Sequence, residues 1–225
     1  MEKYLEQFKD LDEQKRVYAS VIAEGDEGVG RILALLEELN LDEKTLVVFS
    51  SDNGAEATRW PEHKFHNNGK VGLGGYYSVG ESGGLIGQKR SLYAGGIRVP
   101  FVARWPGVVP SGKVDRASVL TAVDLLPTFL EAAGVALPNG FEPDGQSALA
   151  AFKGEAFKRT KPIFWEWKGG LSKDYTWPSL GIRDGRWKML VNKELDKLEL
   201  YDLKKDWAEK EDVSANNPEI VQKLS

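Results

Sequence analysis

Apolar residues near the start of the chain recur every three or four positions, which is the spacing of one face of an α-helix. One apolar group lies within residues 17–22 and a second within residues 29–39. Three glycines interrupt the pattern: Gly25, Gly28 and Gly30. Because an interior glycine costs about 1 kcal/mol relative to alanine, we expect two helices with a break or a close backbone approach between them. Asn40 is typical of a helix end.

A short apolar run, Thr45–Ser51, comes next and is followed by Asp52, Asn53 and Gly54. A run of β-forming residues without polar alternation is typical of a strand buried on both faces, which predicts a parallel sheet covered by helices. The Asn-Gly pair indicates a turn. Asp52 and Asn53 are therefore expected at the carboxyl end of a central strand, the edge where open α/β sheets bind ligands.

A glycine-rich stretch from Gly54 to Leu92 shows neither helical nor strand periodicity. A loop of about 40 residues is uncommon inside a compact domain and is usually functional or disordered. Beyond it we predict a second strand over Ile97–Trp105. A helix fits Asp124–Ala133, with Asp124 as its N-cap and Gly134 at its end.

The pattern changes after about residue 150, where short apolar segments follow one another. Three segments are predicted to contain strands: Ile163–Trp167, Leu180–Asn192 and Lys197–Leu203. Asp184-Gly185 is a favoured hairpin turn, and a last helix is expected after Pro218. We therefore divide the chain into an α/β unit, residues 1–150, and a small antiparallel sheet plus helix, residues 151–225.

Composition narrows the possible chemistry. The net charge is −4 and no dense Lys/Arg stripe appears, so we expect no nucleic-acid partner. No apolar run approaches the ~20 residues that span a bilayer, which excludes a membrane span, and Met1–Lys15 are too polar for an export signal. With zero cysteines and two histidines, thiolate chemistry and most histidine-dependent schemes are unavailable to these residues. Carboxylates, amides, lysines and a metal remain.

Asp52, Asn53 and Lys89 are the sharpest candidates. The first two offer oxygen atoms to a hard cation, and Ca²⁺ takes six to eight such ligands, so other residues must complete any site. The alternative is that Asp-Asn-Gly only ends the strand in a turn. Lys89 lies late in the glycine-rich loop and suits a sulfate or phosphate oxygen. Its alternative is a solvated loop lysine.

Other conspicuous residues have plainer explanations. His63 and His66 have a spacing that could share a metal on a helix, but the prolines, asparagines and glycine around them favour exposed loop histidines. The run Glu194–Glu211 is expected to be a solvated surface. A group of tryptophans could stack on a sugar or ring substrate, but core packing of a small sheet is the favoured explanation: Trp165, Trp167, Trp177 and Trp187, with Glu166 between the first two.

Five segments, in order, resemble the C-terminal half of the sulfatase family. They are TLVVFSSDNG (45–54), GQKRSLYAGGIRVP (87–100), VDLLPTFLEAAG (123–134), IRDGRWKML (182–190) and ELYDL (199–203). The resemblance implies α/β architecture: an alkaline phosphatase-like sheet portion with a small C-terminal antiparallel subdomain. It also implies hydrolysis of sulfate esters at a single Ca²⁺ site.

The same resemblance assigns roles to three residues. Asp52 and Asn53 correspond to metal ligands, and Asp52 also to a neighbour of the nucleophile. Lys89 corresponds to the lysine that contacts the sulfate. An asparagine rather than a histidine at position 53 favours one metal over two.

The chain also departs from the family pattern. The family nucleophile is a Cys or Ser in a Cys/Ser-x-Pro-x-Arg segment, modified to formylglycine, and no such segment occurs in these 225 residues. Ala94 stands where the family usually has Glu. We therefore expect the C-terminal portion of a sulfatase, inactive alone for lack of the nucleophile segment.

Two alternatives remain open, namely a non-catalytic sulfate- or anion-binding module and a truncated fragment. The expected partners are a sulfate ester substrate and either an N-terminal sulfatase half or a second copy of this chain. Either polypeptide would cover the exposed edge of the sheet. Members of the family are often exported, while the opening residues carry no export signal, so the sequence leaves the compartment undecided.

Overall fold

The computed structural model describes residues 2–56, 79–168 and 177–225. The helices are α1 (Glu2–Gln7), α2 (Glu13–Glu38), α3 (Ala94–Ile97), α4 (Leu125–Ala132), α5 (Leu149–Phe152) and α6 (Pro218–Leu224). The strands are β1 (Val47–Ser50), β2 (Phe101–Arg104), β3 (Ile163–Glu166), β4 (Leu180–Asp184), β5 (Trp187–Val191) and β6 (Leu198–Asp202). They form a mixed α/β structure with a two-stranded and a four-stranded sheet. In the part of the chain that is described, no helix is long and apolar enough to cross a membrane.

One continuous helix, α2, occupies the segment predicted as two helices. Three glycines lie inside it: Gly25, Gly28 and Gly30. Among the described residues, a Cβ at any of them would meet no atom within 4 Å. The predicted break is therefore wrong, because the cooperative hydrogen bonds of a long helix outweigh the cost of scattered glycines. Asn40 does mark the helix end, with a φ of 54° and an N–H that donates to the Glu37 carbonyl at 3.0 Å.

Strands β1 and β2 pair antiparallel, with Phe49 opposite Val102. The prediction that β1 is a parallel strand buried on both faces is wrong, since Phe49 and Val102 are 54% and 58% exposed. An apolar run carries no information on the direction of the strand that pairs with it. β2 is shorter than predicted because Ala94–Ile97 turns as helix α3. That a second polypeptide covers this apolar pair stays a prediction.

Helix α4 begins after Asp124 and ends before Gly134, as predicted, but a 3₁₀ turn precedes it. Thr121 is the N-cap of a 3₁₀ turn that leads into α4, and its N–H donates to the Asp124 carboxylate at 2.8 Å. Asp124 occupies the predicted N-cap position of α4 but makes no side-chain cap bond there, and its carboxylate instead completes the capping box of the preceding turn. Its side chain is buried and also pairs with Arg159. Gly134, with a φ of 67°, ends the helix.

Strands β3 to β6 form an antiparallel sheet in chain order, as the sequence predicted. The β4–β5 hairpin turns through Gly185 and Arg186, one residue later than expected, and Gly185 takes a φ of 58°. Leu190 and Leu200 are fully buried on this sheet. Pro218 begins α6, also as predicted.

The charged run Glu194–Glu211 is not uniformly solvated, contrary to expectation. Asp202 and Glu209 are buried, and they pair with Arg186 and Lys188 respectively. Lys188 lies on an otherwise apolar strand, and a buried ammonium needs a compensating carboxylate. Charge density along the sequence gives no sign of that requirement.

Residues from both predicted units share one apolar cluster. Leu92 is buried with Leu190 and Tyr201, and Tyr93 and Ile97 pack against them. The division of the chain at residue 150 stays a prediction. The cluster places the segment from Leu92 to Ile97 directly on the four-stranded sheet.

Candidate functional site

Strand β1 carries the two predicted metal ligands just beyond its last residue, Ser50. Asp52 is exposed and Asn53 is half-buried. The Asn53 Nδ2 donates to the Gly54 carbonyl at 3.0 Å, so its Oδ1 is the atom left to meet a cation. The Ser51 hydroxyl donates to the Asn53 carbonyl at 2.9 Å. The turn is therefore held by its own hydrogen bonds, and oxygen atoms that could coordinate a cation lie at its surface.

Two backbone hydrogen bonds join this turn to the segment that carries Lys89. The Gly54 N–H donates to the Gly96 carbonyl at 2.8 Å, and the Lys89 N–H donates to the Ala55 carbonyl at 2.9 Å. The approach is so close that a Cβ on Gly54 would lie 1.7 Å from the Gly95 oxygen. Only glycine fits at position 54 for this reason. The structure thus brings together the two backbone segments that hold all three predicted site residues.

The Lys89 ammonium lies beside a carboxylate that the sequence did not single out. Lys89 Nζ is 3.7 Å from Glu56 Oε2, and the Arg90 guanidinium donates to Glu56 Oε1 at 2.5 Å. The side chains of Lys89 and Glu56 are 37% and 20% exposed. At 3.7 Å the lysine contact is an ion pair and not a hydrogen bond. An anion that approaches Lys89 would therefore compete with a carboxylate that lies close to the ammonium without a hydrogen bond to it.

Tyr93, four residues beyond Lys89, is fixed as a hydrogen-bond donor. Its hydroxyl donates to Glu199 Oε2 at 2.5 Å, and the Tyr201 hydroxyl donates to the same oxygen at 2.7 Å. Burial, with the Glu199 bond adding to it, raises the pKa of Tyr93 to about 12. The same two causes raise the pKa of Tyr201. Neither phenol therefore serves as a base near neutral pH.

The tryptophans of the second sheet have packing partners. Trp165 and Trp167 pack against the cluster of Leu92, Leu190 and Tyr201. Trp187 packs against the buried residues of β5, β6 and α6. The Trp177 Nε1 donates to the Tyr93 hydroxyl at 3.0 Å. Of the two explanations offered by the sequence, these contacts support packing.

The expectation of a Ca²⁺ site rests on Asp52 and Asn53. Across residues 2–56, 79–168 and 177–225, no group of three or more His, Cys, Asp or Glu side chains could hold a metal ion. Their oxygens are the donor type that Ca²⁺ prefers, but two side chains fall short of its six to eight ligands. His63 and His66 lie outside the described residues.

A cleft of about 1560 Å³ lies between β2 and the second sheet. Its lining includes residues 105–120 together with Arg183, Lys188 and Glu209, while Asp52, Asn53 and Lys89 are not part of it. Burial lowers the pKa of the Arg183 guanidinium, and the nearby charge of Arg98 lowers it further. The cleft is therefore separate from the predicted site.

Two family models match the chain. The Sulfatase model matches residues 2–135, and the model for the C-terminal part of N-sulphoglucosamine sulphohydrolase matches residues 80–225. The two matches overlap over the segment that carries Lys89 and α3. Together they cover both the turn after β1 and the antiparallel sheet.

Curated relatives are matched over only part of their length. N-acetylgalactosamine-6-sulfatase of Canis lupus familiaris is 35% identical over 152 residues, which cover 68% of this chain and 26% of that protein. N-acetylgalactosamine-6-O-sulfatase of Bacteroides thetaiotaomicron is 28% identical over 221 residues, which cover 91% of this chain and 40% of that protein. The chain therefore spans well under half the length of these relatives.

Solved structures share the fold. The crystal structure of Ps i-CgsB in complex with k-i-k-neocarrahexaose matches with a TM-score of 0.77 and 28% identity, over 100% of this chain and 44% of that one. A Bacteroides thetaiotaomicron structure connected with glycosaminoglycan metabolism matches with a TM-score of 0.68 and 26% identity, over 92% of this chain and 42% of that one. These likenesses confirm the predicted fold class, an alkaline phosphatase-like α/β portion with a small antiparallel sheet.

Proposed function

Because this chain belongs to the sulfatase family, we propose that it supplies the cation- and sulfate-binding part of an active site that hydrolyses sulfate esters. Asp52 and Asn53 would give oxygen ligands to Ca²⁺, and Lys89 would contact the sulfate. The observation that carries this proposal is the junction between the two segments, made by the N–H groups of Gly54 and Lys89.

Each side chain suits its proposed role. Cleavage of the S–O bond shifts negative charge among the sulfuryl oxygens, and a bound Ca²⁺ supplies Lewis-acid neutralisation of that charge. The Lys89 ammonium adds a second positive charge on a flexible stem. Asn53 is neutral and so adds an oxygen without another negative charge near an anionic substrate. Glu56 holds the ammonium at the site before an anion arrives.

The nucleophile is the part that these residues do not provide. The 225 residues contain no cysteine and no Cys/Ser-x-Pro-x-Arg segment. Positioning alone does not replace a nucleophile in a mechanism with a covalent intermediate. We therefore propose that the nucleophile reaches this site from another polypeptide segment, and that these residues alone do not turn over.

For the substrate class we propose a sulfated sugar. The names of two relatives specify N-acetylgalactosamine 6-sulfate groups, and a solved neighbour was crystallised with a carrahexaose. N-acetylgalactosamine 6-sulfate is accordingly the probe to use alongside 4-nitrophenyl sulfate.

Turnover and binding assays on the purified chain test the proposal. With Ca²⁺ present, we expect no hydrolysis of either probe above the rate in buffer. Hydrolysis that Lys89→Ala abolishes would contradict the missing-nucleophile proposal. In a sulfate titration, Lys89→Ala should weaken binding, whereas Lys205→Ala, at an exposed lysine outside the site, should not. Equal affinities in the two variants would refute the role of Lys89.

Tight sulfate binding by the isolated chain would instead favour the non-catalytic binding module. The sulfatase proposal predicts that the isolated chain binds sulfate only weakly, through Lys89, and that the affinity rises when the chain is mixed with a polypeptide that carries the nucleophile segment. A titration of sulfate into the chain with and without that polypeptide separates the two alternatives.

A further inference from the structure

A fully buried ion pair lies between strand β5 and the loop after β6. Lys188 Nζ is 2.6 Å from Glu209 Oε1, and the two side chains are only 3% and 1% exposed. Burial lowers the pKa of Lys188, and the charge of Glu209 opposes that shift. Desolvating two charges costs several kcal/mol per ion, so such a pair is weak evidence of stabilisation. The geometry that it fixes is the more informative property.

Both partners of the ion pair also form hydrogen bonds with the backbone of the segment that follows Lys89. Lys188 Nζ donates to the Leu92 carbonyl at 2.8 Å, and the Ala94 N–H donates to Glu209 Oε2 at 2.8 Å. Ala94 is the first residue of α3, and the N-cap residue before it makes no side-chain cap bond. The Glu209 carboxylate therefore satisfies a helix N–H that has no partner within the helix.

The loop that carries Glu209 contacts the same segment at two more points. The Ile86 N–H donates to the Ala208 carbonyl at 3.3 Å, and the Arg98 guanidinium lies 5.5 Å from the centre of the Trp207 ring. Glu209 itself takes a φ of 61°, a left-handed conformation that costs energy in a residue other than glycine. Contacts with surrounding groups must hold it there.

From these contacts we infer that Lys188 and Glu209 are positioning residues, which clamp the segment from Ile86 to Arg98 onto the antiparallel sheet and so set where Lys89 sits. This inference rests on the proposed sulfate-binding role of Lys89. It gives the second sheet a part in the site although Asp52, Asn53 and Lys89 all lie outside that sheet. The Tyr93 bond to Glu199 is a second anchor of the same segment.

The plainer explanation is that the pair only stabilises the second sheet. The pair of Arg186 and Asp202 provides a control, because it links the β4–β5 turn to β6 and its acid is also buried, with a side chain that is 7% exposed. The Arg186 Nε donates to Asp202 Oδ1 at 2.7 Å, and the Lys204 N–H donates to the same oxygen at 3.2 Å. These partners lie on the second sheet and its loop, away from the clamped segment.

Amide hydrogen exchange of the full chain, followed by NMR, distinguishes the two explanations. In Glu209→Gln we expect the N–H groups of Ala94 and Lys89 to exchange about tenfold faster than in wild type, or more, because their segment is released from the sheet. In Asp202→Asn the exchange should quicken within β5 and β6, while Ala94 and Lys89 keep wild-type rates. Equal exchange at Ala94 and Lys89 in the two variants would overturn the inference.

If Glu209→Gln alone unfolds the chain, the same exchange measurement can be made on a double variant, Lys188→Met with Glu209→Gln. It removes both buried charges and retains an amide oxygen for the Ala94 N–H. Exchange at Ala94 should then lie between wild type and the fully released rate. Wild-type protection at Ala94, with β5 and β6 also protected, would show that the pair does not hold the segment and would refute the clamp.

Inorganic sulfate, titrated into the same samples, separates this inference from the proposed function. Glu209→Gln should weaken sulfate binding and Asp202→Asn should not. If the exchange result holds but Lys89→Ala leaves sulfate affinity unchanged, the clamp stands and the proposed role of Lys89 fails.

Discussion

Replacing Gly54 by alanine tests the junction between the turn after β1 and the Lys89 segment. The added Cβ would lie 1.7 Å from the Gly95 oxygen and 2.7 Å from its carbonyl carbon, both of which are backbone atoms that cannot rotate away. The segments must therefore separate by more than about 1 Å, at an overpacking cost of roughly 1–3 kcal/mol. Two hydrogen bonds, those donated by Gly54 and Lys89, would weaken or break at about 0.5–1.5 kcal/mol each. We expect a total loss of about 2–6 kcal/mol in the free energy of unfolding.

The matched control is the same substitution on α2. Gly25→Ala should raise the free energy of unfolding by up to about 1 kcal/mol, since its Cβ meets no described atom within 4 Å and alanine is the better helix former. Urea unfolding followed by circular dichroism measures both variants. If Gly54→Ala unfolds at the wild-type urea concentration and its Lys89 amide stays protected from exchange, the two segments are not in the close contact described.

Two further predictions concern buried polar groups. Asp124→Asn should cost roughly 3–5 kcal/mol in urea unfolding, because it leaves Arg159 without its buried counter-charge; a wild-type midpoint would show the pair to be dispensable. The pKa of Tyr93 is about 12 in the fold against 10.0 unperturbed, so above pH 10 the unfolded chain loses a proton that the folded chain keeps. Stability should therefore fall between about pH 10 and pH 12, and less steeply in Tyr93→Phe. Unfolding at stepped pH tests this, and identical slopes in the two proteins would contradict it.

Local signals in the sequence predicted local structure well. Asn40 and Gly134 end their helices in left-handed conformations, and the Asp184-Gly185 pair marks a hairpin that forms within one residue of its expected place. Each of these outcomes depends on a few neighbouring residues. Such signals stay valid whatever the rest of the chain does.

Features that depend on distant parts of the chain were beyond the sequence pattern. The direction of β1 is set by where β2 returns, and the apolar run of β1 is the same for either direction. The three glycines of α2 suggest a helix break in the sequence, but no described part of the chain packs closely enough against them to require one. Three-dimensional context decides both cases.

In the candidate site, too, the local motifs could be found in the sequence, whereas the contacts between distant residues could not. The turn at Asp52 and Asn53 and the glycine-rich approach to Lys89 are visible in the sequence as separate motifs. Glu56 became notable only because Lys89 and Arg90 lie against it in the fold. The roles assigned to Asp52, Asn53 and Lys89 stay predictions, which the proximity of their backbones supports.

A crystal structure of the chain grown with both calcium and sulfate shows whether Asp52, Asn53 and Lys89 form one site. We expect a Ca²⁺ within about 2.3–2.6 Å of oxygens from Asp52 and Asn53. We also expect a sulfate next to that ion, with an oxygen within hydrogen-bonding distance of Lys89 Nζ. A cation and a sulfate bound on separate surfaces, or a sulfate that leaves Lys89 paired with Glu56, would contradict this expectation.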